Sequence, residues 1–232
     1  MNEPRTSWRT EWPHWLLLAA MFALAAINWS TAPARIPVHW DAAGEVDRYG
    51  GRFEGILLMP LLAVVIYLLF RFLPRLDPGR ANYASFAGAF ATLRLAVLGV
   101  LAAIYGVMLL AMRGHRVDMA TVVPFLIGLL FLVIGSVLGK LRPNWFFGIR
   151  TPWTLSSKEA WVKTHRLGGW VYIGIGVLLL LVGVIRREWS VYAIIFGAGG
   201  GTLWVLVYSY LVWRRDPNRV PPAGTSPADD TV

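Results

Sequence analysis

FAGAFATLRLAVLGVLAAIYGVMLLAM, Phe86 to Met112, is the stretch on which the fold turns. A helix needs about 20 apolar residues to cross a ~30 Å hydrocarbon core, and only a helix satisfies its own backbone there. This run exceeds that length with Arg94 as its single charge, and it is long enough to tilt. Five further runs come close: Pro13 to Trp29, Gly55 to Leu73, Thr121 to Leu141, Gly169 to Ile185 and Val191 to Trp213. The composition agrees, since 56% hydrophobic and 15% charged residues are too apolar a mixture for a water-solvated domain. The expectation is an all-α, polytopic membrane protein of six transmembrane helices.

Lys and Arg in the short connections set the orientation. With the N-terminus inside, fourteen fall on the inner side and seven on the outer, so both termini are expected in the cytoplasm. Trp12, Trp15, Trp29, Trp189, Trp204 and Trp213 fall at or near span ends, where an amphipathic ring prefers the headgroup level. The net charge of +9 does not point to nucleic acid, because the cations punctuate apolar runs and form no single stripe. With no cysteine, disulfides, thiolate metal sites and cysteine nucleophiles are excluded.

A second reading of the first run is a secretory signal, since Arg5 and Arg9 precede an apolar core and small residues. Gly99 with Ala103, Gly135 with Gly139, and Gly197 with Gly201 are spaced for close helix approach. Intramolecular packing is preferred to a dimer seam, which leaves a homo-oligomer open. The organisation read from these features is 1–85, two spans flanking an outer loop at 30–54; 86–216, four spans with an inner loop at 140–169; and 217–232, a disordered cytoplasmic tail.

Two connections are long and rich in Trp, Pro and Gly, so function is sought there. In the outer loop Asp41 and Gly44 bracket one turn and Gly50-Gly51 marks another. His39, Asp41, Glu45 and Asp47 could gather around a divalent metal, but their spacing matches no metal motif, and a folded turn-rich cap is the expectation. In the inner loop, Ser156 with Glu159 reads as a capping box heading a short interfacial helix from about Ser157 to Leu167, closed by Gly168-Gly169. Trp161 and His165 would share one face of it. Arg150 is either a headgroup anchor or a recognition cation.

RPNWFFGIRTPWTLSSKEAWVKTHRLGGW, Arg142 to Trp170, resembles the defining motif of the SdpI family. IPVHWDAAGEVDRYGG, Ile36 to Gly51, is similar to an extracytoplasmic domain of unknown function that often precedes that motif. The resemblance implies a multi-pass protein of the bacterial cytoplasmic membrane, and no cofactor is expected. By likeness it would act in immunity to a secreted toxic peptide and in signalling through a soluble transcriptional repressor held at the membrane. The motif positions Asn144, Gly148, Arg150, Thr151, Pro152, Trp153, Thr154, Trp161, Thr164 and His165 would then face the cytoplasm, where such a partner could meet them. Pro37, His39, Trp40, Asp41, Gly44 and Asp47 would mark the outer domain.

An ion-coupled transporter normally holds a carboxylate or histidine in the hydrocarbon region, and no span carries Asp or Glu away from its ends. Arg94 is the clear intramembrane charge, either functional or snorkelling toward the inner face. A nucleophile elbow and HExxH are absent. The alternatives to a non-enzymatic immunity or signalling protein are a small-molecule or lipid transporter, or a membrane enzyme using His39 with Asp41 or Asp47 as an acid-base pair.

Overall fold

A computed structural model describes residues 8–220 apart from Ala42 and residues 186–189. It is mostly helical, with one two-stranded hairpin. Helix α1 (Trp8–Trp29) leads to strands β1 (Ile36–Trp40) and β2 (Val46–Gly50), then α2 (Leu58–Leu76), α3 (Ala87–Met112), α4 (Met119–Leu138), a short α5 (Pro152–Ser156), α6 (Lys158–Ile185) and α7 (Ser190–Arg215). Six helices are long and apolar enough to cross a membrane: Thr10–Trp29, Phe53–Leu76, Arg80–Met112, Met119–Leu138, Lys158–Ile185 and Ile194–Arg215. The chain is a multi-pass membrane protein.

Two packing units build the bundle. Helices α1, α2 and α3 close around Met21, Ala63, Leu98 and Tyr105. Helices α4 and α6 cross at backbone contact, because glycines face each other along both. A Cβ on Gly135 would lie 2.6 Å from the Gly169 carbonyl, and one on Gly176 would lie 2.8 Å from the Gly128 carbonyl. Without a hydrophobic force between helices in lipid, such close van der Waals contact is a main source of association. Gly197 and Gly201 of α7 likewise receive Leu178 and Val171 of α6, whereas a Cβ on Gly99 would meet nothing within 4 Å.

Three local expectations are corrected. The interfacial helix does not stop at Gly168-Gly169: α6 runs unbroken through them, because both are buried and Gly169 is the crossing point with Gly135. Its cap is Ser157, whose hydroxyl accepts the Ala160 N–H at 2.9 Å, while the Ser156 hydroxyl turns back to the Pro152 carbonyl. The capping box of this region heads α5, where Thr151 and Thr154 serve each other's backbone N–H. The outer loop is not only turns, since β1 and β2 pair antiparallel from Ile36 opposite Gly50 to Trp40 opposite Val46.

The first four residues of the expected tail, 217–220, are described and packed. Asp216 is buried and the Val220 N–H donates to the Ser156 carbonyl, so residues up to 220 fold against α5. Residues 221–232, with Arg5, Arg186, Arg187 and Trp189, lie outside the described residues.

Candidate functional site

Two built sites occupy opposite ends of the bundle, and a buried ion pair lies within it. At the motif end, Pro143 to Ile149 follow an irregular path held by side chains. Asn144 is buried, accepts the Phe146 and Phe147 N–H groups at 3.0 and 2.6 Å, and donates to the Arg142 carbonyl. Asp77, from the α2–α3 connection, takes the Trp145 N–H at 3.0 Å together with the Tyr83 hydroxyl at 2.7 Å and the Gly79 N–H at 2.6 Å. Asn82 donates to the Pro143 carbonyl at 2.7 Å. Phe147 then inserts between the first helices, stacked on Phe70 with ring centroids 5.5 Å apart and tilted against Phe90 at 4.7 Å. Sequence reading singled out none of Asp77, Asn82 and Phe147, because each works through a partner more than 60 residues away along the chain.

The histidine closes this fold. His165 Nε2 accepts the Ile149 N–H at 3.0 Å and Nδ1 meets the Trp161 carbonyl at 2.8 Å, which selects the tautomer protonated on Nδ1. Its ring stacks on Trp161 at 4.0 Å, and the Trp161 indole N–H reaches the Leu141 carbonyl at 3.0 Å. Gly148 has φ +103°, and a side chain there would collide with His165 Nε2, so glycine is required twice over. The Thr154 hydroxyl donates to the Ile149 carbonyl at 2.8 Å, and the Thr151 and Ser209 hydroxyls lie 3.2 Å apart, joining α5 to α7.

Asn144, Thr151, Thr154, Trp161, Thr164 and His165 are therefore buried inside the motif end, and their surface access is lost to the fold they build. Gly148 and Trp153 are half-buried, the latter edge-on to Tyr210 at 5.3 Å. Arg150 and Pro152 are exposed; Arg150 donates to the Trp145 carbonyl at 2.9 Å. Arg142, Trp145, Lys158, Lys163, Arg166 and Trp170 of the motif stretch are also exposed, with Lys163 paired to Glu159 one turn away. The Ser157 hydroxyl donates to Asp216 at 2.5 Å and the Asn218 N–H at 2.8 Å, and these bonds hold the Asp216 carboxyl below the ordinary aspartate range.

At the other end the hairpin is a cap. Asp41 Oδ1 accepts the Ala43 and Glu45 N–H groups, both at 2.9 Å, and Gly44 takes φ +84° at the tip. That tip rests on α4, where a Cβ on Gly44 would be 3.1 Å from the Ala120 nitrogen. The opposite edge is fixed by buried Ile36, packed on Gly55. Pro37 and Trp40 are half-buried in β1. His39 and Asp47 pair at 2.6 Å on the exposed surface, and Arg48 pairs with Glu54 at 2.5 Å. Among the described residues no three His, Asp or Glu side chains cluster as metal ligands. Beneath the hairpin lies a cavity of about 660 Å³.

Within the bundle, Arg94 is buried and makes a two-pronged pair with Glu11 of α1, at 2.9 and 2.7 Å. Arg94 therefore points across to α1 instead of snorkelling. The Tyr67 hydroxyl donates to Glu11 at 3.0 Å and receives the Trp15 indole N–H at 2.8 Å. Sequence reading began the first span at Pro13 and so left this carboxylate outside it; α1 begins before Glu11 and carries it inward.

Comparison with known proteins adds the following. Residues 140–209 match the model of the SdpI/YfhL protein family, and residues 16–64 match a domain of unknown function, DUF1648. The immunity protein SdpI of Bacillus subtilis (strain 168) is 21% identical over 180 residues, 78% of this chain and 84% of that protein. No solved structure matches.

Proposed function

The chain carries the SdpI/YfhL family region behind a DUF1648 domain, and from that premise we propose that it resists or senses a secreted toxic peptide and recruits a soluble partner at its motif end. The coarse class, an immunity-type membrane protein, follows from that family region and the SdpI relative. The finer reading has the hairpin outside a bacterial cytoplasmic membrane and the motif end with both termini inside. The excess of Lys and Arg in the motif-end connections supports that orientation.

One observation carries the proposal. Both ends of a single bundle are built beyond what joining helices requires: a cavity under the hairpin at one, and at the other a buried core that displays Arg150 and its basic neighbours. Phe147 ties the two packing units together at the motif end, through Phe70 of α2 and Phe90 of α3. Arg150 would meet the acidic surface of a soluble partner, with a repressor as the family-based expectation.

A deletion strain tests it. Loss of the gene is expected to sensitise cells to secreted peptides of related strains, and restoration with wild type but not with Arg150→Ala is expected to recover signalling. A deletion strain as resistant as its parent to every such peptide overturns the reading.

A further inference from the structure

We propose that the cavity beneath the β1–β2 hairpin is the site where this protein holds its external ligand, and that the ligand is a cationic, apolar peptide. This rests on the reading that the protein meets a secreted peptide, and adds the place and the chemistry. At about 660 Å³ the cavity falls within the size range of small-ligand sites. Its floor is apolar, with Leu58, Ile104, Val123 and Val182 from four helices. Half of the chain's six methionines, Met59, Met108 and Met119, line it. Methionine is unbranched and polarisable, so walls rich in it adapt to side chains of varied shape.

The rim selects charge. Asp41 and Glu54 line the mouth with Arg48 and His39; Arg48 is already paired with Glu54, and His39 is held by Asp47. Among the described residues that line the cavity, Asp41 is then the carboxylate that faces no cationic partner, and its charge favours a cation over an anionic phospholipid headgroup. The hairpin spans the opening between Gly55 on the α2 side and Ala120 on α4, so a bound peptide lies under a fixed cover with its apolar side chains toward the helices.

The experiment uses the full-length protein in nanodiscs of phosphatidylcholine. The probe is a short fluorescent leucine–lysine peptide carrying a photo-reactive leucine, and the control is the matching leucine–glutamate peptide. The lysine peptide is expected to bind saturably and more weakly as salt rises. Ile104→Trp and Val123→Trp, which fill the cavity from different helices, should each weaken binding by roughly tenfold or more. On the unmodified protein, photo-crosslinks should fall on residues 38–59, 104–108 and 119–124.

Equal binding by folded Trp variants, equal binding of the glutamate peptide, crosslinks confined to other segments, or a copurified phospholipid that the probe cannot displace would each overturn the site. The two readings fail separately. Full resistance in Val123→Trp cells, when deletion cells are sensitive, removes the site and keeps the function; probe binding with no phenotype on deletion removes the function and keeps the site.

Discussion

Arg94 grips Glu11 with two guanidinium nitrogens, at 2.9 and 2.7 Å, fastening α3 to α1 across 83 residues of sequence. Both side chains are almost wholly buried, 5% and 4% exposed. Charges this deep persist only because each satisfies the other. Removing one partner is therefore worse than removing both. Arg94→Leu or Glu11→Leu alone should cost about 3–5 kcal/mol, and the double leucine variant should recover much of it. Thermal unfolding in detergent checks this, and a double variant no better than the singles would remove the pair from the account.

Gly148 and His165 make a second, local prediction. Gly148→Ala places a methyl group on His165 Nε2 at a backbone angle that favours glycine, so the loop from Pro143 to Ile149 must open. His165→Ala leaves the Ile149 N–H without its acceptor. Both variants should become sensitive to protease within residues 142–150 while the spans stay intact, as read by mass mapping of the fragments.

Arg150 gives the contrasting case. Its side chain is exposed and its one bond is to the Trp145 carbonyl, so Arg150→Ala should change stability by less than about 0.5 kcal/mol. Loss of partner recruitment at unchanged melting temperature is the expected outcome. A drop in melting temperature comparable to that of His165→Ala would make Arg150 a structural residue instead.

The contact of Gly135 with Gly169 predicts the behaviour of the helix crossing. A methyl at Gly135 meets the Gly169 carbonyl at 2.6 Å, and backbone cannot swing aside as a side chain can. Gly135→Ala should destabilise by about 1–3 kcal/mol, whereas Gly99→Ala, facing open space, should be neutral or mildly stabilising. Unfolding of the two variants in denaturing detergent separates the cases.

Asp216 supplies a pH dependence. Its carboxyl is held below the ordinary aspartate value by Ser157 and the Asn218 N–H, so the folded state binds the proton less well than the unfolded chain. Its stabilisation is complete above the unfolded value and is lost as pH falls through the depressed folded one. Hydrogen exchange of the Val220 amide, which donates to Ser156, should quicken across that acidic window, after correction for intrinsic exchange, and Asp216→Ala should abolish the step.

Much of the fold was legible because lipid imposes a length and polarity rule that needs no tertiary knowledge. The six spans, the turn at Asp41 and Gly44, and the shared face of Trp161 and His165 all follow from spacing along the chain. The family motif was legible as a string. Its meaning was not, since the string was read as a cytoplasm-facing recognition loop, whereas the fold buries six of its ten positions.

What the sequence determined by itself was the set of helices and the two loops that depart from simple joining, since hydrophobic length and turn chemistry are local. Only the tertiary structure decided that Glu11 neutralises Arg94, that Asp77 and Phe147 bind the motif loop to the first helices, that α6 continues through Gly168-Gly169, and that the hairpin covers a cavity. Each depends on groups far apart in the chain meeting at a few ångströms. The energies that select them, ion pairing, hydrogen bonding and close packing, act through space and leave no periodicity to read.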